Sequence, residues 1–169
     1  WRVGDEQKIR WKTTGTIPRL RLELSSDQFQ REIQVIQAST ENTGEFGWQI
    51  PDQIGAGLEV RITDLRNVLI SNTSQPFKIT GGLSIEIPQG GETWIVGSQQ
   101  KIQWRSYGSI PSVHLEYSKD NFQSVMPLAT DVTNSGSFLW TVPDLTGTPI
   151  RLRVSDADDL SVKSETPFA

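Results

Sequence analysis

The sequence predicts an all-β chain folded as two tandem antiparallel β-sandwiches, and three observations carry that expectation. The first is an internal repeat. Trp1-Arg2-Val3-Gly4, Gln7-Lys8-Ile9-Arg10-Trp11 and Gly15-Thr16-Ile17-Pro18 return, shifted by 93 positions, as Trp94-Ile95-Val96-Gly97, Gln100-Lys101-Ile102-Gln103-Trp104 and Gly108-Ser109-Ile110-Pro111. Asn42-Thr43-Gly44-Glu45-Phe46-Gly47-Trp48 answers to Asn134-Ser135-Gly136-Ser137-Phe138-Leu139-Trp140, Pro51-Asp52 to Pro143-Asp144, and Pro76-Phe77 to Pro167-Phe168. A repeat this long is the size of a small domain, whereas solenoid units run to roughly 20–50 residues. The second observation is alternation with period two, and the third is the turn chemistry that separates the alternating runs. No stretch keeps a helical period for three turns.

The elements follow in chain order. In the first module the inward phases are Ile9/Trp11, Leu20/Leu22/Leu24, Phe46/Trp48/Ile50 and Leu58/Val60/Ile62. The second module opens with a strand over 83–88 and continues with Ile102/Trp104, Val113/Leu115/Tyr117, Phe138/Trp140/Val142 and Ile150/Leu152/Val154. Residues in the opposite phase, such as Arg151 and Arg153, are expected to point to solvent, so that Arg153→Ala should do little. Turns fall at Gly108, Lys119-Asp120-Asn121, Asn134-Ser135-Gly136, Pro143-Asp144 and 156–159. About seven short strands per module argue for sandwiches of immunoglobulin or fibronectin type III character. The modules are placed at 1–80 and 83–169, with a Gly linker over 80–82 short enough to predict an elongated, semi-rigid pair.

Residues 83–93, including the turn Gln89-Gly90-Gly91-Glu92, stand before Trp94, and nothing corresponding stands before Trp1. The first module is therefore expected to lack its opening strand, supplied by further residues or by another molecule. Both ends read as cut from a longer chain.

Composition narrows the function classes. The net charge is −4, and the 16 basic residues are scattered, which argues against a nucleic-acid footprint. With no cysteine there is neither a disulfide scaffold nor a thiolate metal site. No apolar run approaches the ~18 residues of a membrane span, and no stretch of the sequence given reads as a signal peptide.

Catalysis needs a nucleophile with a base, a carboxylate pair or metal ligands. The one histidine, His114, alternates outward between Val113 and Leu115, and its counterpart is Arg21, so it reads as a surface residue. No Gly-x-Ser-x-Gly elbow, phosphate loop or His-Glu-x-x-His pattern occurs. Asp156, Asp158 and Asp159 offer hard oxygen ligands to Ca²⁺, against the competing reading of a solvated hairpin loop. Asp27 and Asp120 recur in a Ser-x-Asp-x-Phe turn, where a side chain that caps its own turn is expected. Asn72-Thr73-Ser74 is a glycosylation sequon.

All six tryptophans fall in equivalent pairs, Trp1/Trp94, Trp11/Trp104 and Trp48/Trp140, and so do the phenylalanines, Phe29/Phe122, Phe46/Phe138 and Phe77/Phe168. Trp11, Trp48, Trp104 and Trp140 sit on the apolar phase of strands and are expected in the core. Trp1 and Trp94 are expected to be half-buried, and Tyr107, in the 106–108 loop, exposed. Those three are the candidates for stacking on a ligand.

At Ile87-Pro88-Gln89-Gly90-Gly91-Glu92-Thr93-Trp94, followed by Gly97, Ile102 and Trp104, the text resembles a β-sandwich repeat of large secreted and surface proteins, mainly bacterial. Leu115-Glu116-Tyr117-Ser118, the 134–140 motif and Val142-Pro143 extend the likeness. That repeat is similar to the immunoglobulin-like N-terminal module of yeast cell-wall Ser/Thr-rich, GPI-anchored proteins of the Kre9/Knh type. The resemblance implies export and a multidomain parent. It carries no catalytic residue, and the Ser/Thr-rich tail of the yeast proteins is absent.

The expected function is that of a non-catalytic extracellular structural or adhesive module, part of a repeat-containing stalk, spacer or filament. Its expected partners are neighbouring modules of the same or another chain and cell-surface polysaccharide, with no nucleic acid and no cofactor. The alternative is a carbohydrate-binding accessory module of a secreted polysaccharide-active enzyme.

Overall fold

The structure, a computed structural model, describes residues 1–167, so Phe168, the repeat partner of Phe77, lies outside the described residues. The chain divides into two compact units, Trp1–Thr80 and Gly81–Ala169. Each is an immunoglobulin/fibronectin III-like antiparallel β-sandwich.

Unit 1 contains β1 (Glu6–Arg10), β2 (Arg19–Ser25), β3 (Ile33–Glu41), β4 (Glu45–Gln49), β5 (Gly55–Asp64), β6 (Ser71–Thr73) and β7 (Phe77–Ile79). One sheet runs β3-β2-β5, with β6 and β7 both pairing with β5, and β1 pairs with β4 to make the other. Unit 2 contains β8 (Gly82–Ile87), β9 (Gln99–Tyr107), β10 (Ser112–Ser118), β11 (Met126–Thr133), β12 (Ser137–Thr141), β13 (Arg151–Asp156) and β14 (Lys163–Glu165). Its sheets run β11-β10-β13-β14 and β12-β9-β8.

The repeat in sequence is a repeat in register. Arg61↔Thr73 in β5/β6 becomes Arg153↔Glu165 in β13/β14. The β2/β3 ladder slips between Leu20 and Leu22, and β10/β11 slips between Val113 and Leu115. Alternation then puts Leu20, Leu22 and Leu24 against Ile9 and Trp48 across unit 1. Val113 and Leu115 meet Ile102, Trp104 and Trp140 across unit 2. Each fully buried Leu, Ile or Val contributes about 1.5–3 kcal/mol, the main source of stability in a chain without disulfides.

Two sequence expectations are corrected. Arg151 and Arg153 do not extend freely into solvent: the Arg153 side chain is only 17% exposed, ion-paired to Glu165 at 2.9 Å and Glu116 at 3.5 Å. Its guanidinium lies 3.7 Å from the centre of the Phe122 ring. Arg151 donates to the Thr166 carbonyl at 2.6 Å and to the Asn121 side chain. Position opposite the core phase means "away from the core", and here the outer face of the sheet is itself covered by the 119–124 turn. Tyr107 is half-buried rather than exposed, because β9 continues through it and pairs it with Gly82 of β8.

Candidate functional site

The two aromatic candidates of unit 2, Trp94 and Tyr107, do not converge, and Trp1 belongs to unit 1. Trp1 is 40% exposed. Its backbone is tied to the end of unit 1: the Trp1 amine donates to the Lys78 carbonyl at 2.8 Å, and the Thr80 N–H to the Trp1 carbonyl at 2.8 Å. The ring meets Trp48 edge-on at 5.8 Å and lies 4.7 Å from Phe77. Trp94 of unit 2 is half-buried and edge-on to Trp140 at 5.8 Å, and the Tyr117 ring lies 5.7 Å from Trp140. Trp94 also walls a shallow apolar groove with Ile95, Val96, Leu145, Pro149 and Ile150. Tyr107 stands elsewhere on the same sheet. Trp140 pairs with Gln100, and Tyr107 is seven positions farther along β9, roughly 20 Å away at the rise of an extended strand.

The acidic candidates are turn-makers. The Asp156 carboxylate is buried and accepts the Asp158 N–H at 2.9 Å, while Asp159 accepts the Ser161 N–H at 3.2 Å and hydroxyl at 2.6 Å. Unit 1 builds the same turn with an aspartate in the first place and an asparagine in the second. Asp64 accepts the Arg66 N–H at 2.8 Å and Asn67 the Leu69 N–H at 3.1 Å. Among the described residues no group of three or more His, Cys, Asp or Glu is arranged to hold a metal ion. His114 uses Nδ1 to accept the Asp131 N–H at 2.9 Å, where Asp131 has a positive φ of 51°. It serves the β10/β11 bulge.

Two constellations recur at equivalent positions in both units; the second is the turn expected from the sequence, and the side-chain bond of the first is not legible there. In the first, the indole N–H of Trp104 donates to Asn134 Oδ1 at 2.7 Å, and Asn134 Nδ2 donates to the Ile110 carbonyl at 2.9 Å. Trp11, Asn42 and Ile17 repeat this at 2.7 and 2.7 Å. A buried indole must place its one donor, and the asparagine opening the Asn-x-Gly motif supplies the acceptor. The glycine two residues on, with φ of 90° at Gly44 and 78° at Gly136, turns its carbonyl to the backbone N–H of the same tryptophan at 3.0 Å.

The second is the Ser-x-Asp-x-Phe turn. Buried Ser118 donates to Asp120 Oδ1 at 2.8 Å and accepts the Phe122 N–H at 2.8 Å. Asp120 also accepts the Ser124 N–H at 2.8 Å. Hydrogen bonds from the Ser124 hydroxyl and amide, then from Ser118, lower the Asp120 pKa from 3.8 to about 2. At Asp27 desolvation acts to raise the pKa, but Ser25 and the N–H groups of Glu32, Arg31 and Gln30 outweigh it and leave it lowered. The turn forces Phe122 and Phe29 to φ of 62° and 63° and lays each ring on an arginine. Arg61 lies 4.2 Å from Phe29 and bonds Glu23 at 2.8 Å, matching Arg153, Phe122 and Glu116. The signal was legible as a repeated motif; that the phenylalanine pins an outward arginine was not.

No helix among the described residues is long and apolar enough to cross a membrane. No family model and no curated protein matches the chain. Solved structures similar to it include the fibronectin(III)-like modules of CbhA from Clostridium thermocellum, at 13% identity and a TM-score of 0.30, covering 100% of this chain and 84% of that one. Another is a tetra-tandem repeat in the extending region of a large adhesion protein, at 14% identity and a TM-score of 0.31. That match covers 89% of this chain, which spans 42% of the other.

Proposed function

We propose that the chain is a pair of non-catalytic modules of an extracellular, repeat-containing protein, in which they serve as stalk, spacer or filament segments. One observation carries this reading: the polar side chains with demanding chemistry are consumed, at matching positions in both units, by the structure itself. Asn42 and Asn134 hold tryptophans, Ser25 and Ser118 with Asp27 and Asp120 hold turns, and Asp64 and Asp156 close hairpins. A pair of modules that spends its polar groups alike on architecture is suited to repetition. The resemblance to repeats of secreted and surface proteins supports export.

Sequencing the native polypeptide outward from this segment tests the proposal. Further copies of the module without a catalytic domain are expected. An adjoining polysaccharide-active enzyme would replace the stalk with the accessory-module reading. The Trp94 groove favours that second reading, because an apolar wall with a half-buried indole is where a sugar ring would stack. Retention of the chain on insoluble polysaccharide, abolished by Trp94→Ala, would establish it.

A further inference from the structure

Among the described residues β3 ends a sheet in unit 1 and β11 ends its counterpart in unit 2, each with one side unpaired. Such an edge offers N–H and C=O groups to any other strand, so folds ordinarily blunt it with proline, charge or a kink. β11 is blunted. It carries Pro127, and Asp131 takes a φ of 51° with its N–H held by His114. β3 has Val35 and Ser39 in those places, Ser39 has no positive φ, and no charge stands between Ile33 and Thr40. Ile33 and Val35 are 43% and 44% exposed. Val125, the counterpart of Ile33, is exposed too, so apolar surface is common to both edges and the protection is what differs.

The proline also shows which way the backbone points. Pro127 stands opposite Glu116 in the β10/β11 ladder. With no N–H to give, a proline sits in a sheet where that group would face outward. Val35 stands opposite Glu23 in the same place, so its N–H and C=O face the open side. The β2/β3 ladder is regular from Ile33 to Val35, so Ile33 faces out as well and Gln34 faces β2.

We propose that β3 is a self-recognition edge, pairing antiparallel with β3 of a second copy of this chain about a two-fold axis at Gln34. Ile33 of each copy exchanges both backbone hydrogen bonds with Val35 of the other. Their exposed side chains then lie side by side across the junction and cover one another. Glu32 falls opposite Ile36, so no like charges face each other. The same pairing through β11 would lack the Pro127 N–H in each copy and with it half of those bonds. The pairing is a property of unit 1 and suits a stalk segment and an accessory module alike, so its failure would leave the proposed function standing.

The whole chain provides the test. In sedimentation equilibrium the mass should rise from 18.9 kDa toward twice that value as concentration increases. Val35→Pro, which copies the residue unit 2 carries at this position, should hold it at the monomer value. Val35→Lys places a charge on the same exposed site and should do the same, and unchanged circular dichroism will establish that each variant folds. The chain has no cysteine, so single thiols report position cleanly. Facing residues of a non-hydrogen-bonded pair lie about 4.5 Å apart between Cα atoms, within disulfide reach. Under diamide, Gln34→Cys should therefore form a linked dimer at least about tenfold faster than Met126→Cys, its counterpart on β11, because association concentrates the thiols. A chain that stays monomeric at every concentration, equal linking of the two cysteine variants, or a dimer undiminished in a folded Val35→Lys chain overturns the proposal.

Discussion

At the scale of the residue, the two units act as an internal control on each other. Trp104 and Trp11 make the same hydrogen bond to an asparagine, but Trp104 is buried and Trp11 is half-exposed. Trp104→Ala should cost about 3–5 kcal/mol, the range for losing a large buried aromatic. Trp11→Ala should cost clearly less, and urea denaturation of the two variants followed by circular dichroism compares them directly. Asp120 gives a pH prediction. A carboxylate with a folded pKa below its unfolded value stabilises the fold above that unfolded value and loses the effect as the pH falls through the folded pKa. Its contribution is therefore full above about pH 4 and lost between the ordinary value of 3.8 and about 2. Asp120→Asn should lower the melting temperature at neutral pH and flatten its fall across that acid window, as thermal melts at stepped pH will report. Sequence alignment of the repeats exposed Asp27 and Asp120 as turn residues, because a short side chain two residues after a serine bonds locally. The fate of Arg153 was hidden, because alternation says which face a side chain takes and nothing of what later covers that face.

At the scale of the element, the outer face of the β10/β13/β14 sheet is a layered structure. Glu116 and Arg153 face each other across the ladder, Glu165 joins from β14, and the Phe122 ring closes over the guanidinium. Exposed ion pairs contribute little, but an arginine shielded from water beneath an aromatic ring contributes more. Arg153→Ala should thus destabilise unit 2 by about 1–2 kcal/mol, the cation–π share of that stack. Arg10→Ala, on an exposed strand in unit 1, should stay within about 0.5 kcal/mol. Chemical denaturation midpoints separate these values. The strands themselves were read correctly from period-two patterning: Leu22, Leu24, Val113, Leu115 and Val154 are buried where alternation placed them. The exception is Tyr107, because Ser106-Tyr107-Gly108 has the composition of a turn. Pairing with β8 overrides that local preference and carries β9 through it.

At the scale of the whole molecule, one plan is built twice with different strand pairings. Among the described residues β9 of unit 2 is paired on both flanks, by β12 and β8, and β1 of unit 1 on one, by β4. An unpaired flank lowers the cost of local opening. Amide exchange at Leu22 should therefore be faster than at its counterpart Leu115 in native conditions. Equal protection of the two amides would mean that pairing on one flank does not weaken the core beneath it.

The sequence by itself determined the all-β class, the duplication and the inward residues, because these depend on periodicity and turn chemistry that are local along the chain. Only the tertiary structure decided which polar groups are spent on architecture. Asn134 meets Trp104, Phe122 meets Arg153, and His114 meets Asp131 across separations of 17 to 31 residues that no local pattern encodes. Those contacts follow from sheet register, and register is fixed when two apolar faces close on each other and exclude water.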